Sequence, residues 1–214
     1  MGIKAVSEPT GQYEISSGFT KRELRRLVSN NTVKHIQFSN PLSQKEISRL
    51  EKIVFAERPD ISLRVYGHYS TECDLKFLEQ IPSLKKLSVD CLHNATGVEV
   101  VAKLRNLEML GVGIFNLDNF DFLSEVTPDL KELLLHSTKS KKPKIDVISR
   151  FKGLEYLYLE GQQKGIESIS SLKHLKEIVL RSISTSNLEF LENKSDLWSL
   201  DIKLGGIKNF DALK

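Results

Sequence analysis

The sequence predicts an α/β solenoid, with short strands stacked along one side and short helical turns returning along the other. Three observations predict it. Apolar residues fall at positions one, four and six of a short segment, and the pattern occurs six times at a nearly constant interval. A second apolar register, spaced by three residues, leads into most of these copies. Leucine occurs 31 times in 214 residues and alanine five times, so one branched side chain is packed repeatedly where a helical bundle would use alanine.

The elements follow in chain order. Residues 1–32 read as an N-terminal cap, with a strand at Gln12–Ser16 and a helix at Phe19–Ser29. Leu24, Leu27 and Val28 give that helix an apolar stripe, and Thr20 stands as N-cap before Glu23. Residues 33–73 read as degenerate repeats. Val33-x-x-Ile36-x-Phe38 and Ile61–Val65 are their strands. Between them Ile47, Leu50, Ile53 and Val54 lie at helical spacing, which predicts a longer amphipathic helix over Ser43–Ala56. Residues 74–214 carry the regular repeats, and the three segments form one continuous domain.

The six regular strands begin at Leu84, Leu107, Leu130, Leu154, Leu175 and Leu197, at intervals of 23, 23, 24, 21 and 22 residues. Leu154-x-x-Leu157-x-Leu159 is typical: its last two apolar positions alternate as a strand requires. The lead-in Ile166-x-x-Ile169-x-x-Leu172-x-x-Leu175 suits a short helix or 3-10 turn with one face inward. Ile207, Phe210 and Leu213 begin another lead-in at the C-terminal end. Its strand does not follow, which predicts either a truncated chain or self-association through an uncapped last repeat.

These segments resemble the leucine-rich repeat, and their period and lead-in are most similar to the 22-residue, internalin-like class. The resemblance covers about two thirds of the chain. It implies a right-handed horseshoe with a parallel concave sheet, convex short helices or 3-10 turns, and a role as an interaction scaffold. The family usually places Asn three residues beyond the third apolar position, where its side chain bonds the turn. Leu92, Phe115, Thr138, Gln162, Ile183 and Gly205 stand there instead. Only Thr138 and Gln162 have side chains able to hydrogen-bond, so the turns must satisfy their backbone in other ways.

Strand residues between core positions face outward, on the concave side. The candidate protein-binding surface is Met109, Glu132, Leu134, His136, Tyr156, Tyr158, Glu160, Glu177, Val179, Arg181, Trp198 and Asp201. Tyr156, Tyr158, Leu134, Met109 and Val179 form its apolar centre; Glu132, Glu155, Glu160, Glu177, Arg181 and Lys203 surround it. Aromatic anchors within a charged rim are the anatomy of a protein contact. Trp198, the only tryptophan, falls at the rim or over the open end.

Other chemistry is poorly supported. Cys73 and Cys91 lie 18 residues apart, without the spacing of a zinc site. None of the five histidines has a second at ligand spacing, so each reads as a surface or turn residue. No cofactor, metal or catalytic set is expected. Tyr13, Glu23, His35, His68 and Tyr69 would be the material of an enzymatic alternative, but they show no recognisable pairing. A regulatory or inhibitory subunit, such as a toxin-neutralising protein, is the nearer alternative and would use the same surface. The net charge of +3 offers no reason to expect nucleic acid or an anionic membrane. The basic run Lys139–Lys144 reads as a solvated loop. No signal peptide or membrane-spanning run is seen, so a soluble, cytoplasmic chain is expected.

Overall fold

The computed structural model describes residues 2–68, 71–140 and 143–213. Ten strands form one sheet, and their spatial order is their order in the chain. They are β1 Ile3–Ser7, β2 Gln12–Ile15, β3 His35–Phe38, β4 Ser62–Gly67 and β5 Lys86–Leu92. There follow β6 Met109–Ile114, β7 Glu132–Leu135, β8 Tyr156–Glu160, β9 Glu177–Arg181 and β10 Ser199–Lys203. β1 and β2 are antiparallel, and every later neighbouring pair is parallel. Parallel neighbours need a crossover, and here each crossover contains a helical segment.

Two crossovers early in the chain are α-helices: α1 Lys21–Val28 and α2 Gln44–Leu50. Both begin with a capping box. Thr20 accepts from the Glu23 amide while Glu23 answers on the Thr20 amide, and Ser43 and Glu46 do the same. Glu46 also accepts from the Gly18 amide at 2.7 Å, which ties the two helix starts together. The helix expected over Ser43–Ala56 does not stay α-helical. Its last part, Glu51–Phe55, widens into a π turn that closes with the Ala56 amide on the Glu51 carbonyl. Later crossovers shorten to 3-10 turns, as three-residue spacing demands, for example Val98–Lys103 and Ile166–Ser171.

β1 has no counterpart among the expected strands. Its apolar alternation, Ile3 and Ala5, is too brief to stand out from a polar surround. The hairpin joining it to β2 turns at Gly11, which is left-handed at φ 66° and lies against the Thr32 carbonyl. A Cβ at Gly11 would come within 2.0 Å of that oxygen, so no other residue fits.

The core is one continuous row. The three apolar positions of the first five regular strands, from Leu84 to Leu180, are sealed from solvent. Leu197, Leu200 and Ile202 of the sixth remain half-buried, because among the described residues no further strand of the sheet packs over them. Each sealed side chain contributes about 1.5–3 kcal/mol, but only when a neighbouring rung covers it.

Two devices hold the rungs in place. Buried or partly buried cations close the ends of helical turns one repeat back. Arg58 donates to the Val28 and Val33 carbonyls, Arg150 to those of Leu123 and Val126, and Lys194 to those of Ile169 and Leu172. The Leu123 and Ile169 carbonyls also accept from the Val126 and Leu172 amides of their own turns, and a cation suits that end of the dipole. Burial, together with nearby Lys173, pulls the Lys194 amine down to about 8.

The second device replaces the absent asparagine. Backbone amides bond carbonyls of adjacent rungs: Phe115 to Leu92 at 2.8 Å, Lys139 to Phe115 at 2.6 Å, and Ser182 to Lys203 at 2.8 Å. Gln162 alone plays the side-chain part in full. It is buried, accepts from the Glu160 amide at 2.9 Å and donates to the His136 carbonyl at 2.8 Å. Thr138 bonds only its local turn, through the Ser140 carbonyl. Several strands end on a left-handed residue two places after the third core position: Gly67, Cys91, Gly161, Ser182 and Leu204. At Cys91 this residue is a β-bulge, so that Asp90 and Cys91 together oppose Gly113.

Candidate protein-interaction face

The sheet has one face on the core and one open, and the parallel register aligns the open face into columns. Through the middle run Glu14, Gln37, Arg64, Ser88, Gly111, Leu134, Tyr158, Val179 and Asp201. Beside them run Lys86, Met109, Glu132, Tyr156, Glu177 and Ser199. Neighbours in a column lie about 4.8 Å apart. The expected neighbour relations among Met109, Glu132, Leu134, Tyr156, Tyr158, Glu177, Val179 and Asp201 are therefore present. All of these side chains are half-buried by their own neighbours. Trp198 stands apart at 71% exposure, one position before β10.

At the N-terminal end the face is a closed polar network. Arg64 grips Asp90, with Nε 2.8 Å from Oδ1 and 3.0 Å from Oδ2, and Nη2 2.5 Å from Oδ1. Ser88 donates to Asp90 at 2.7 Å, and Gln37 accepts from Arg64 at 3.2 Å. Gln37 also accepts from Gln12 and donates to Glu14, and Tyr66 donates to Glu14 at 3.0 Å. Burial works against the Asp90 charge, yet hydrogen bonds from Arg64 and Ser88 hold its carboxyl below the ordinary aspartate range. The network leaves no room for a side chain at Gly111, whose Cβ would lie 2.7 Å from the Ser88 hydroxyl.

Toward the C-terminal end the face changes character. Met109, Leu134, Tyr156, Tyr158 and Val179 form an apolar and aromatic centre over β6–β9. Tyr158 donates to Glu160 at 3.1 Å and packs against His136, with ring centroids 5.0 Å apart. Burial and the Glu160 charge push its phenol up to about 12, so it stays a neutral donor. Burial raises Tyr156 as well, followed by Glu177, Glu132 and Asp201. Arg181 pairs with Glu160 at 3.2 Å and Lys203 with Asp201 at 2.6 Å. His136 Nδ1 lies 3.7 Å from the same Glu160 carboxylate.

Along the entrance to the strands runs an exposed ladder: Lys85 to Glu108, then Lys131 and Lys176 both to Glu155. Glu155, expected on the rim, is spent in this ladder. Between the two halves of the face lies an open hollow of about 450 Å³, bordered by Arg64, Asp90, His136 and Glu160. The stacked rings of His93 and Phe115 form its outer lip.

Solved structures with the same arrangement are leucine-rich-repeat proteins. An internalin, InlF, from Listeria monocytogenes superimposes with a TM-score of 0.58 and 18% identity over 96% of this chain. Internalin C2 of the same bacterium gives 0.54 and 17% over 90% of this chain and 80% of its own. The fold is the leucine-rich repeat, in its internalin-like form. The TLR13 structure, a complex with ssRNA13, gives 0.60 and 17% over 91% of this chain. This leucine-rich-repeat chain spans 64% of the internalin InlF chain and 29% of TLR13. Its sequence matches no family model and no curated protein.

Among the described residues no three of His, Cys, Asp and Glu are grouped to hold a metal. Burial pushes the Cys73 thiol up to about 12, and burial and Asp90 raise that of exposed Cys91, so neither is an activated nucleophile. His68 is a buried turn residue, with Nδ1 3.1 Å from the Tyr66 carbonyl. Tyr69 lies outside the described residues, as do Lys141 and Lys142 of the basic run and the side chain of Leu213. No described helix is long and apolar enough to cross a membrane.

Proposed function

We propose that this chain binds another protein through the open, concave face of its sheet, with Tyr156 and Tyr158 at the centre of the contact. One observation carries the reading. The face is polar and bonded to itself over β2–β5, but over β6–β9 it presents adjacent apolar and aromatic side chains that no described residue covers over. Tyrosine anchors of this kind bring large contact area at little entropic cost.

The fold neighbours support a binding scaffold rather than a catalyst. TLR13 was solved with a single-stranded RNA. The carboxylates Glu132 and Glu177 beside Tyr156 disfavour a phosphate backbone here and favour the protein reading. An inhibitory role would use the same face and differs only in what the partner does.

The test is affinity capture with the purified chain, followed by titration of the captured protein against wild type and Tyr158→Ala. Loss of about 2 kcal/mol of binding with the fold intact supports the face. An unchanged dissociation constant overturns it.

A further inference from the structure

Charge bookkeeping on the C-terminal half of the face does not close. Glu160 is matched by Arg181, and Asp201 by Lys203. Glu132 and Glu177 remain. They flank Tyr156 in register, one on β7 and one on β9. Among the described residues neither carboxylate has an ion pair or a side-chain hydrogen bond. The nearest column cation, Lys86, is separated from Glu132 by Met109. Tyr156 lies half-buried between them, and its hydroxyl has no partner among the described residues.

An aromatic ring with a carboxylate on either side has a definite complement. From this geometry we infer that the partner supplies an arginine, laid flat on Tyr156 and donating from its edges to Glu132 and Glu177. The inference rests on the protein-binding reading of this face. Guanidinium fits better than ammonium for a geometric reason. Its plane can stack on the ring while donors at opposite edges reach carboxylates two strands apart, about 9–10 Å at the backbone. Residues beside that arginine would be apolar, because Met109, Leu134 and Val179 adjoin the slot. The partner segment is thus basic and apolar in alternation.

The experiment uses the full chain and three peptides: one alternating arginine and leucine, its citrulline counterpart and its glutamate counterpart. Citrulline keeps the shape of arginine and removes the charge. Binding is followed by calorimetry and by amide chemical-shift mapping. The arginine peptide should shift Tyr156 and its neighbours and bind about tenfold tighter than the citrulline peptide. The double variant Glu132→Gln/Glu177→Gln should lose that advantage. The convex double variant Glu167→Gln/Glu189→Gln, with the same charge change, should keep it.

Equal loss in both variants would reduce the effect to net charge and overturn the inference. So would an arginine peptide that binds the double variant undiminished. If the citrulline or glutamate peptide occupies the same face as well as the arginine peptide, the face reading stands and the arginine assignment falls. If no peptide shifts the face, both fall.

Discussion

The two halves of the open face are built on successive parallel strands of one sheet, yet they spend their side chains differently. Over β2–β5, Gln12, Glu14, Gln37, Arg64, Tyr66, Ser88 and Asp90 are bonded to one another. Over β6–β9 the centre is apolar, and two carboxylates have no partner among the described residues. A polar group already satisfied gains little from a partner, since binding would exchange one hydrogen bond for another. A half-buried aromatic beside an unmatched charge has attraction still to use. The difference teaches that chemical richness alone does not mark a site; unused capacity does.

The comparison can be broken most directly at Arg64. Arg64→Met leaves Asp90 as a buried carboxylate without its cation, and should cost about 3 kcal/mol in urea denaturation. Partner binding should be unchanged, because the network is structural; a binding loss with full stability would reverse the assignment. Tyr158→Ala should do the opposite, weakening binding by about 2 kcal/mol while unfolding shifts by less than about 1 kcal/mol.

Acid sharpens the contrast further. Asp90 is held below its usual value of 3.8 in the folded chain, so the unfolded chain binds more protons. Its contribution is present above 3.8 and is lost as pH falls through the lower folded value. Stability measured against pH should show this acid loss in the wild type, and a smaller one in Arg64→Met. At the other extreme, Lys194 has an amine held near 8 against 10.5 when unfolded. Stability should therefore rise as pH climbs from about 8 toward 10.5, and Lys194→Met should remove that rise. The smallest effect belongs to Glu132→Gln/Glu177→Gln. These side chains hold nothing together, so unfolding should move by no more than about 0.5 kcal/mol.

Much of this could be read from the chain because a repeat converts sequence into geometry. Leu154, Leu157 and Leu159 sit in phase with their counterparts, so the register followed and the columns of the open face with it. Tyr156 beside Glu132 and Glu177 was legible for that reason. The Arg64–Asp90 pair was not, because its partners are 26 residues apart and meet diagonally through side-chain reach. Nor were the carbonyl-capping roles of Arg150 and Lys194, since a basic residue on a convex turn looks like any solvated one. β1 is not legible in the sequence, because two apolar residues in alternation fall below any useful signal.

By itself, then, the sequence determined the rung: its length, its three core positions and which residues share a face. Periodicity suffices for that, because burial on one side of a strand imposes a period of two and a stacked unit imposes its own length. The tertiary structure alone decided which polar groups are spent and which remain. That depends on where long side chains end, not on where they begin. Arg64, Arg181 and Lys203 each reach a carboxylate, and among the described residues no cation reaches Glu132 or Glu177.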